Sequence, residues 1–562
     1  MSDHPDSAAS ARASRRGAIG LLFALALGIW CYAPALHAFF AQDDFAFLAM
    51  VRLLHQPWLL FVRDHFPASL YFRPFGVLLW WLGCALAGAA AWPQYALNLA
   101  LHLGCVAALY TLLQRLRRDA WINAGWAALY AAHPLALGTA LWLSDRFDLM
   151  TTLFALLALA AALDYAARAR RRDLALLLVW LLLGLASKEL GVVGAAGAFA
   201  TIAFASRSTL DLRRRCTALA AIALLTLGWL AYRHALLTPI GDGSNPAWLT
   251  PAVFVQGAAN WLRSGTQFLA TDPRVPAWGG WLLALAAAAW TASVAFARRA
   301  PHEHAVRWAV LAGLATLLLL PGLVQAPVAV KHLGSIDAGA VGFNLIVASR
   351  FFHLALAALI ALLALAAAPV TMARAESPVA RRLLGAAIVC ALVALAPVAQ
   401  RTAHDHASET RRQIAPLRAA QEALERSTLP AQACQVYFLQ TASLPAFAGY
   451  SDALAKGLAV EPARVAHCLI STERPPYTYF VRSGSLQPAD YAPLHPLALA
   501  GRPVPGLVVG DLEMLYLSMG PDQPSTLPPQ ALFFEYRDGI FVDVSAAVGA
   551  GERKIDFAVA KP

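Results

Sequence analysis

Two adjacent carboxylates, Asp43 and Asp44, occur in FFAQDDFAF directly after the first long apolar run of the sequence. Charged side chains in or beside a membrane are costly, so those that occur there are candidates for function. Neighbouring carboxylates repel each other unless a cation, a hydrogen-bond donor or protonation of one of them relieves the repulsion. The pair is therefore a candidate functional site, and the alternative is a solvated pair at a helix end.

A second group of ionisable residues lies in the stretch HPLALGTALWLSDRFD, which begins at His133. Asp145 and Asp148 are three residues apart, so they share one face if the stretch is helical. Arg146 lies between them, and a guanidinium can bind a phosphate through two parallel hydrogen bonds. The spacing indicates an anion-binding site, and the alternative is that Asp148 is simply the N-cap of the helix that follows.

The remaining candidates are cations in apolar surroundings and one further carboxylate. Lys188-Glu189 in LASKELGVV is the only charged spot in residues 174–206, Arg73 lies in YFRPF, and Arg350 lies in VASRFFH. These cations could also bind an anion. The alternatives are an exposed Lys-Glu ion pair, which stabilises a protein little, and arginines that extend to the membrane surface for solvation alone.

The composition shows what must position these residues. Of 562 residues, 59% are hydrophobic and only 14% charged, whereas soluble proteins have about 25% charged residues, so a soluble enzyme is excluded. The net charge of +11 comes largely from short arginine runs between apolar stretches, which is a membrane topology signal. We therefore predict a membrane lipid environment and no nucleic-acid partner.

Assigning every basic run to the cytoplasm defines the topology. The apolar stretch 174–206 would be roughly 50 Å long as one helix, too long for a bilayer core of about 30 Å, so it must fold back at Lys188-Glu189. Residues 72–91 are placed along the outer surface within a first loop of residues 37–94. The predicted spans are 17–36, 95–113, 121–138, 149–167, 174–188, 191–206, 216–235, 279–297, 308–325, 351–368 and 383–399.

This topology places all the candidate charges on the extracytoplasmic face, with the N-terminus in the cytoplasm and the tail in the periplasm. In the tail, QVYFLQ, HCLIST, YTYFVRS, LVVGDLEMLYLSM and ALFFEYRDGIFVDVSA predict strands, the last a hairpin that turns at Arg537-Asp538-Gly539. A helix at about 407–426 links the tail to the last span. Cys434 and Cys468 flank strand-like runs and could form a disulfide in an oxidising compartment.

The sequence thus predicts an all-α polytopic membrane protein with about eleven transmembrane helices and a C-terminal α+β periplasmic domain. The domain boundary falls near residue 400, giving a transmembrane domain at 1–400 and a periplasmic domain of unknown role at 401–562. The location that follows is the inner, cytoplasmic membrane of a bacterium, crossed many times.

The motifs together resemble a family. The first helix followed by Asp-Asp, the RP that opens a surface helix, ALNLALH, ALYAAHPLALGTALWLSDRFDLMTTLFALLAL and LASKELGV occur in that order. This order resembles the GT-C membrane glycosyltransferases, nearest the branch with protein O-mannosyltransferases, their TPR-bearing relatives and lipid A aminoarabinose transferases. The resemblance covers roughly residues 17–210, with Arg350 as an outlying match. The tail lacks tetratricopeptide periodicity, so no acceptor is carried over from the TPR-bearing branch.

The resemblance implies a glycosyltransferase that moves a hexose or pentose from a polyprenyl-phosphate donor to an extracytoplasmic protein, lipid or glycan. It places the catalytic base in Asp43 or Asp44, because an acceptor hydroxyl attacks only when a base takes its proton. The departing lipid phosphate needs preorganised cations, and the available set is Arg73, Arg146, Lys188 and Arg350.

Supporting roles around these cations fall to four further residues, His133, Asp145, Asp148 and Glu189. The sequence leaves metal dependence open, with Mg or Mn shared by Asp43, Asp44 and Asp148 as one arrangement. Two other functions remain. A transporter or flippase would use the charges to bind an ionic substrate, although such proteins often show internal repeats and none is visible here. A non-catalytic membrane scaffold would not need the charged regions to converge.

Overall fold

The computed structural model describes residues 6–41, 44–54, 56–63, 71–88, 90–116, 119–205, 210–237, 250–270, 301–326, 329, 343–367, 378–428, 434–439, 468–472, 477–483, 504–509, 512–518 and 531–549. The chain forms two compact units. The helical unit comprises residues 1–36, 95–235 and 245–406, and the sheet unit comprises residues 37–94, 236–244 and 407–562. The first loop therefore belongs to the same unit as the tail.

The structure is mostly helical. Its helices are α1 (Asp6–Tyr32), α2 (Asp44–Leu53), α3 (Pro74–Ala87), α4 (Ala91–Leu116), α5 (Ala120–Ala132), α6 (Pro134–Leu141), α7 (Arg146–Arg168), α8 (Arg171–Ser187), α9 (Gly191–Ala203), α10 (Leu212–Leu236), α11 (Pro251–Ala270), α12 (Pro301–Val324), α13 (Phe343–Ala366), α14 (Pro378–Arg412), α15 (Ile414–Arg426) and α16 (Ser545–Gly549). Three-residue to five-residue 3₁₀ helices lie at Ala33–His37, Pro57–Phe61 and Leu143–Asp145.

Within the described residues, six helical segments are long and apolar enough to cross a membrane. They contain the predicted spans 17–36, 95–113, 149–167, 216–235, 351–368 and 383–399, at least in large part. Their length and apolarity agree with the predicted polytopic membrane fold. The total of eleven spans remains a prediction, and the predicted span 279–297 lies outside the described residues.

The predicted span 121–138 and the predicted surface helix 72–91 differ from the structure. The predicted span 121–138 is divided into α5 and α6 at His133, because Pro134 has no backbone N–H to continue the ladder and disfavours a helical residue before it. The predicted surface helix 72–91 is shorter, since α3 covers only Pro74–Ala87. At roughly 21 Å, α3 is shorter than the bilayer core of about 30 Å. Helix α11 was not predicted.

The predicted fold-back at Lys188 is present as the turn between α8 and α9. Both helices pack against α7. A side chain at Gly191 would lie 2.5 Å from the Gly184 carbonyl oxygen, so only glycine allows the two helices to approach this closely. Gly194 plays a similar part between α9 and α7, where an added Cβ would lie 3.2 Å from the Ala155 Cβ. Small residues at such crossings bring membrane helices into close contact.

Within its described residues, the sheet unit contains a seven-stranded mixed sheet with the order β4-β5-β3-β2-β1-β6-β7. Its strands are β1 (Cys434–Leu439), β2 (Cys468–Thr472), β3 (Tyr477–Ser483), β4 (Val504–Val509), β5 (Leu512–Ser518), β6 (Ala531–Arg537) and β7 (Ile540–Asp543). Strand β1 is parallel to β2 and β6, and the other pairs are antiparallel. Helix α15 packs against β7 and α16 against β6.

The predicted hairpin at Arg537-Asp538-Gly539 is confirmed. Asp538 and Gly539 have positive φ values of 49° and 90°, as the central positions of a type I′ turn require. The run LVVGDLEMLYLSM, predicted as one strand, is instead divided between β4 and β5, which pair antiparallel. Its Gly-Asp dipeptide is a turn signal that the apolar residues on both sides concealed.

The first part of the sheet unit is also helical. Helices α2 and α3 pack together, with the Phe47 and Trp80 rings stacked at a centroid distance of 5.7 Å. The Trp81 indole N–H donates to the Leu54 carbonyl oxygen at 3.0 Å. Helix α2 lies against strand β4, so the described helices of the predicted first loop belong to the same unit as the sheet.

The Cys434–Cys468 disulfide remains a prediction. The two positions are directly opposite each other in the parallel strands β1 and β2, and neighbouring strands are about 4.8 Å apart, within the Cα separation that a disulfide spans. We expect mass spectrometry of the unreduced protein to find the two peptides linked, and reduction to lower the free energy of unfolding by about 2–4 kcal/mol. Recovery of both thiols in the free state would contradict this.

Candidate active site

The turn between α6 and α7 buries three of the predicted site residues. Asp145, Arg146 and Asp148 have exposed fractions of 4%, 0% and 1%. A buried guanidinium is costly unless it is hydrogen-bonded, and the Arg146 Nε donates to the Asn98 Oδ1 at 2.8 Å. The Asn98 Nδ2 in turn donates to the Ala140 carbonyl oxygen at 3.0 Å. One amide on α4 therefore holds both Arg146 and the end of α6.

An ion pair joins the α8–α9 turn to α7. The Lys188 Nζ is 2.5 Å from the Asp148 Oδ2, with the lysine side chain 14% exposed and the aspartate 1%. Asp148 is the third residue of α7, which begins at Arg146, so the alternative that it is an N-cap is wrong. The other oxygen of Asp148, Oδ1, is buried and has no hydrogen-bond partner within the described residues.

Glu189 makes a separate ion pair. Its Oε1 is 3.8 Å from the Arg233 Nη2 on α10, and both side chains are partly exposed. Lys188 and Glu189 therefore each bind a different helix, and the alternative of an exposed Lys188-Glu189 pair is wrong. Of these two ion pairs, the one between Lys188 and Asp148 is the more buried and has the shorter N–O distance.

Arg350 approaches the same turn from α13. Its guanidinium carbon lies 5.2 Å from the Trp142 ring centre and 5.0 Å from that of Phe351, both within the range of cation–π attraction. Trp142 directly follows α6. Helices α6 and α13 approach closely at Gly138, where an added Cβ would lie 2.9 Å from the Ser349 Oγ. The Arg350 Nε is buried without a hydrogen-bond partner within the described residues.

Three predicted cations are thus attached to one short segment, 142–148. Arg350 lies over Trp142, Arg146 belongs to the segment, and Lys188 binds Asp148. His133 has a local role next to this group, since its Nδ1 accepts from the Leu135 N–H at 3.2 Å and caps the start of α6. Asp145 occupies the N-cap position of α7.

The other two described candidates belong to the sheet unit. Asp44 is the first residue of α2 and only 1% exposed, and its Oδ2 accepts from the Ala41 N–H at 3.0 Å. The alternative of a solvated carboxylate is therefore wrong for Asp44, while Asp43 lies outside the described residues. Arg73 precedes α3, with its guanidinium carbon 4.3 Å from the Tyr71 ring centre.

The described carboxylates do not form a metal site. Within the part of the chain that the structure describes, no group of three or more His, Cys, Asp or Glu residues could hold a metal ion. Asp148 already binds an ammonium group, and Asp44 accepts from a backbone N–H. The predicted Mg or Mn set of Asp43, Asp44 and Asp148 therefore remains a prediction, because Asp43 is not described.

Comparison with known proteins finds matches only among solved structures. No protein-family model and no curated protein matches the chain. Its fold is similar to that of GT-C membrane glycosyltransferases. ArnT from Cupriavidus metallidurans bound to undecaprenyl phosphate, a lipid A aminoarabinose transferase, matches at 14% identity and a TM-score of 0.42, over 90% of this chain and 99% of its own.

Two structures of the oligosaccharyltransferase AglB from Archaeoglobus fulgidus also match. The complex with an inhibitory peptide and a dolichol-phosphate has 10% identity and a TM-score of 0.46, over 84% of this chain and 70% of its own. The complex with Zn and sulfate has 14% identity and a TM-score of 0.41, over 78% of this chain and 61% of its own. At sequence identities and TM-scores this low, no substrate, cofactor or catalytic residue of these proteins can be assigned to this chain.

A buried polar network beside Arg350 was not predicted from the sequence. The His353 Nε2 is 2.8 Å from the Tyr130 hydroxyl, and its Nδ1 is 2.9 Å from the Thr152 Oγ1. The His102 ring stacks on Tyr130, and its Nε2 is 3.1 Å from the Ala131 carbonyl oxygen. Because His353 contacts Tyr130 on α5 and Thr152 on α7, the network fixes α13 against both helices. His353 is one helical turn from Arg350. Asn98 and His102, four residues apart in ALNLALH, were the available sequence signal.

We expect Tyr130→Phe to lower the free energy of unfolding by about 1–3 kcal/mol, because a buried polar group loses its partner. The matched control is Tyr165→Phe, whose hydroxyl donates to the Arg214 carbonyl oxygen at 3.2 Å in a partly buried hydrogen bond outside this network. Thermal unfolding of both variants in one detergent is the measurement. Equal midpoints for the two variants would contradict a stabilising network.

Proposed function

We propose that this chain is a glycosyltransferase that moves a sugar from a polyprenyl-phosphate donor to an extracytoplasmic acceptor. The observation that carries the proposal is the attachment of Arg146, Lys188 and Arg350 to the segment 142–148, in a chain of membrane-spanning length and apolarity. Cations fixed in advance stabilise charge that develops on a leaving phosphate. The apolar surroundings suit a donor whose long chain lies in the bilayer.

The proposed base is Asp44 or its neighbour Asp43. In the reaction, the acceptor oxygen bonds to the anomeric carbon, the bond from that carbon to the phosphate oxygen breaks, and the acceptor proton passes to the carboxylate. The lipid phosphate leaves as an anion and needs no general acid. Asp44 suits this role because the Ala41 N–H holds one of its oxygens and fixes its orientation.

The proposed phosphate-binding cations differ in solvent exposure. Arg350 and Lys188 retain exposed surface, so we assign the direct phosphate contacts to them and to Arg73. Arg146 is fully buried, and a phosphate would reach it only after neighbouring side chains moved. Its proposed role is to hold the α6–α7 turn through Asn98, with His133, Asp145, Asp148 and Glu189 as supporting residues.

The proposed location is the bacterial inner membrane, with the N-terminus cytoplasmic and the site and tail periplasmic. Residues 1–400 would form the GT-C-like transmembrane domain and residues 401–562 a periplasmic α+β domain. The proposed acceptor is a protein, a lipid or a glycan of the cell envelope.

The test is transfer of label from polyprenyl-phosphate sugars to a trapped acceptor by purified protein. We expect Arg350→Ala to lower kcat/KM by about 10–100-fold, from loss of a charged hydrogen bond worth about 1.5–3 kcal/mol. Both kcat and KM should change, because the lost contact serves donor binding and the leaving group. Arg412→Ala is the control, since Arg412 is exposed and pairs with the exposed Glu409.

A transporter would give another result. Wild-type protein in vesicles would move a labelled substrate across the membrane without forming any covalent sugar product. Absence of transfer with every polyprenyl-phosphate sugar tested, together with such movement, would overturn the glycosyltransferase proposal.

A further inference from the structure

Helices α1, α5 and α14 of the helical unit run side by side in the same direction. An added Cβ at Gly20 would lie 2.8 Å from the Ala124 Cβ, and one at Gly28 would lie 3.5 Å from the Ala131 Cβ. Helices α1 and α5 are therefore parallel. Helix α14 follows the same direction, because Gly125 meets the Ile388 side chain and the Cys31 Sγ is 3.8 Å from the Ala396 carbonyl oxygen. The N-terminal ends of the three helices therefore lie at one end.

A cleft of about 660 Å³ lies between these helices, within the range of about 300–1,000 Å³ that small-molecule sites occupy. Its walls are apolar side chains and glycine, including Phe23, Trp30, Trp121, Gly385 and Val393. Phe23 is 55% exposed and Val393 70% exposed. The cleft therefore opens to the surroundings of the membrane helices rather than into the core of the unit.

The N-terminal end of this cleft is basic. Arg15 and Arg16 are exposed on α1 shortly before Gly20, and Arg381 and Arg382 are exposed at the start of α14. Asp119, the N-cap of α5, also lies at this end, and its carboxylate is 3.4 Å from Arg381. An anionic group is favoured there, directly beside the apolar cleft.

We propose that this cleft binds one acyl chain of an anionic phospholipid whose phosphate contacts the arginines at its basic end. The lining residues on α14 run from Gly385 to Pro397, roughly 18 Å at 1.5 Å per residue. This length matches one leaflet, about half of a hydrocarbon core of about 30 Å. The lipid would join α14 to α1 and α5 on the face predicted to be cytoplasmic. The proposal does not depend on sugar transfer.

Gly385 allows a direct test of the apolar part. An added Cβ there meets no atom within 4 Å, and Gly385 lines the cleft, so we expect the ring of Gly385→Phe to occupy the cleft. The matched control is Gly228→Phe on α10, where an added Cβ also meets no atom within 4 Å and which does not line the cleft. Arg381→Gln combined with Arg382→Gln tests the headgroup end.

The experiment uses the full chain in a zwitterionic detergent, with added phosphatidylglycerol or phosphatidylcholine as probes. Binding to the folded state raises the unfolding midpoint. We expect phosphatidylglycerol to raise it by several degrees more than phosphatidylcholine and to remain bound in native mass spectrometry. Gly385→Phe and the double arginine variant should lose this difference, and Gly228→Phe should keep it.

Four results would overturn the proposal. The two phospholipids could stabilise the wild type equally, or Gly385→Phe could retain the full response to phosphatidylglycerol. Light scattering could instead show a wild-type dimer that Gly385→Phe dissociates, which would make a second copy the occupant. Undecaprenyl phosphate that binds in place of phosphatidylglycerol and depends on Gly385 would assign the cleft to the donor lipid.

Discussion

Replacing Asp44 with Asn is expected to lower the rate of sugar transfer by about 10²–10⁴-fold, the usual contribution of a general base. The fold should survive, because the Asn side-chain oxygen can still accept the Ala41 N–H that the Asp44 Oδ2 accepts now. The substitution thus removes proton acceptance and keeps the local bond. The measurement is label transfer from a polyprenyl-phosphate sugar at equal protein level.

Asp211→Asn is the matched control for this experiment. The Asp211 Oδ1 accepts from the Arg214 N–H at 2.8 Å at an exposed position, so the same change of side chain alters a similar local bond far from any proposed role. Asp43→Asn completes the set, since the sequence does not choose between the two carboxylates. Unchanged transfer in both Asp43→Asn and Asp44→Asn would remove the base from this pair.

The sequence predicts the parts of the fold that depend on local pattern. Long apolar runs between arginine groups locate six membrane-length helical segments in the part of the chain that the structure describes, and the Asp538-Gly539 dipeptide locates the hairpin. Features that depend on packing were missed. The sequence marks Pro134 but does not show that it ends one helix and opens another inside a single apolar run.

The candidate site shows the same division. The motifs SDRFD and KE identify Asp148 and Lys188, because charges are rare in apolar stretches. Their pairing follows from the packing of α8 and α9 on α7, which the close approach at Gly191 and Gly194 permits. The roles of Asn98 and His353 were not predicted, since neutral polar side chains do not mark a helix as charges do.

The ion pair between Lys188 and Asp148 gives the second large expected effect. Lys188→Met leaves the Asp148 carboxylate buried without its cation, and breaking a buried pair in this way costs about 3–5 kcal/mol of unfolding free energy. Adding Asp148→Asn removes the stranded charge, so the double variant should regain most of this stability. Transfer activity should remain low in the double variant, because the proposed phosphate contact is still missing.

Arg168→Met is the stability control, because Arg168 pairs with Asp164 on the same helix α7 at a more exposed position. Its effect should stay below about 1 kcal/mol, as for other surface ion pairs. Equilibrium unfolding and label transfer measured on the same preparations separate the two roles of Lys188. A Lys188→Met protein as stable as the wild type would contradict the structural role, and full transfer by the double variant would show that Lys188 does not contact the donor.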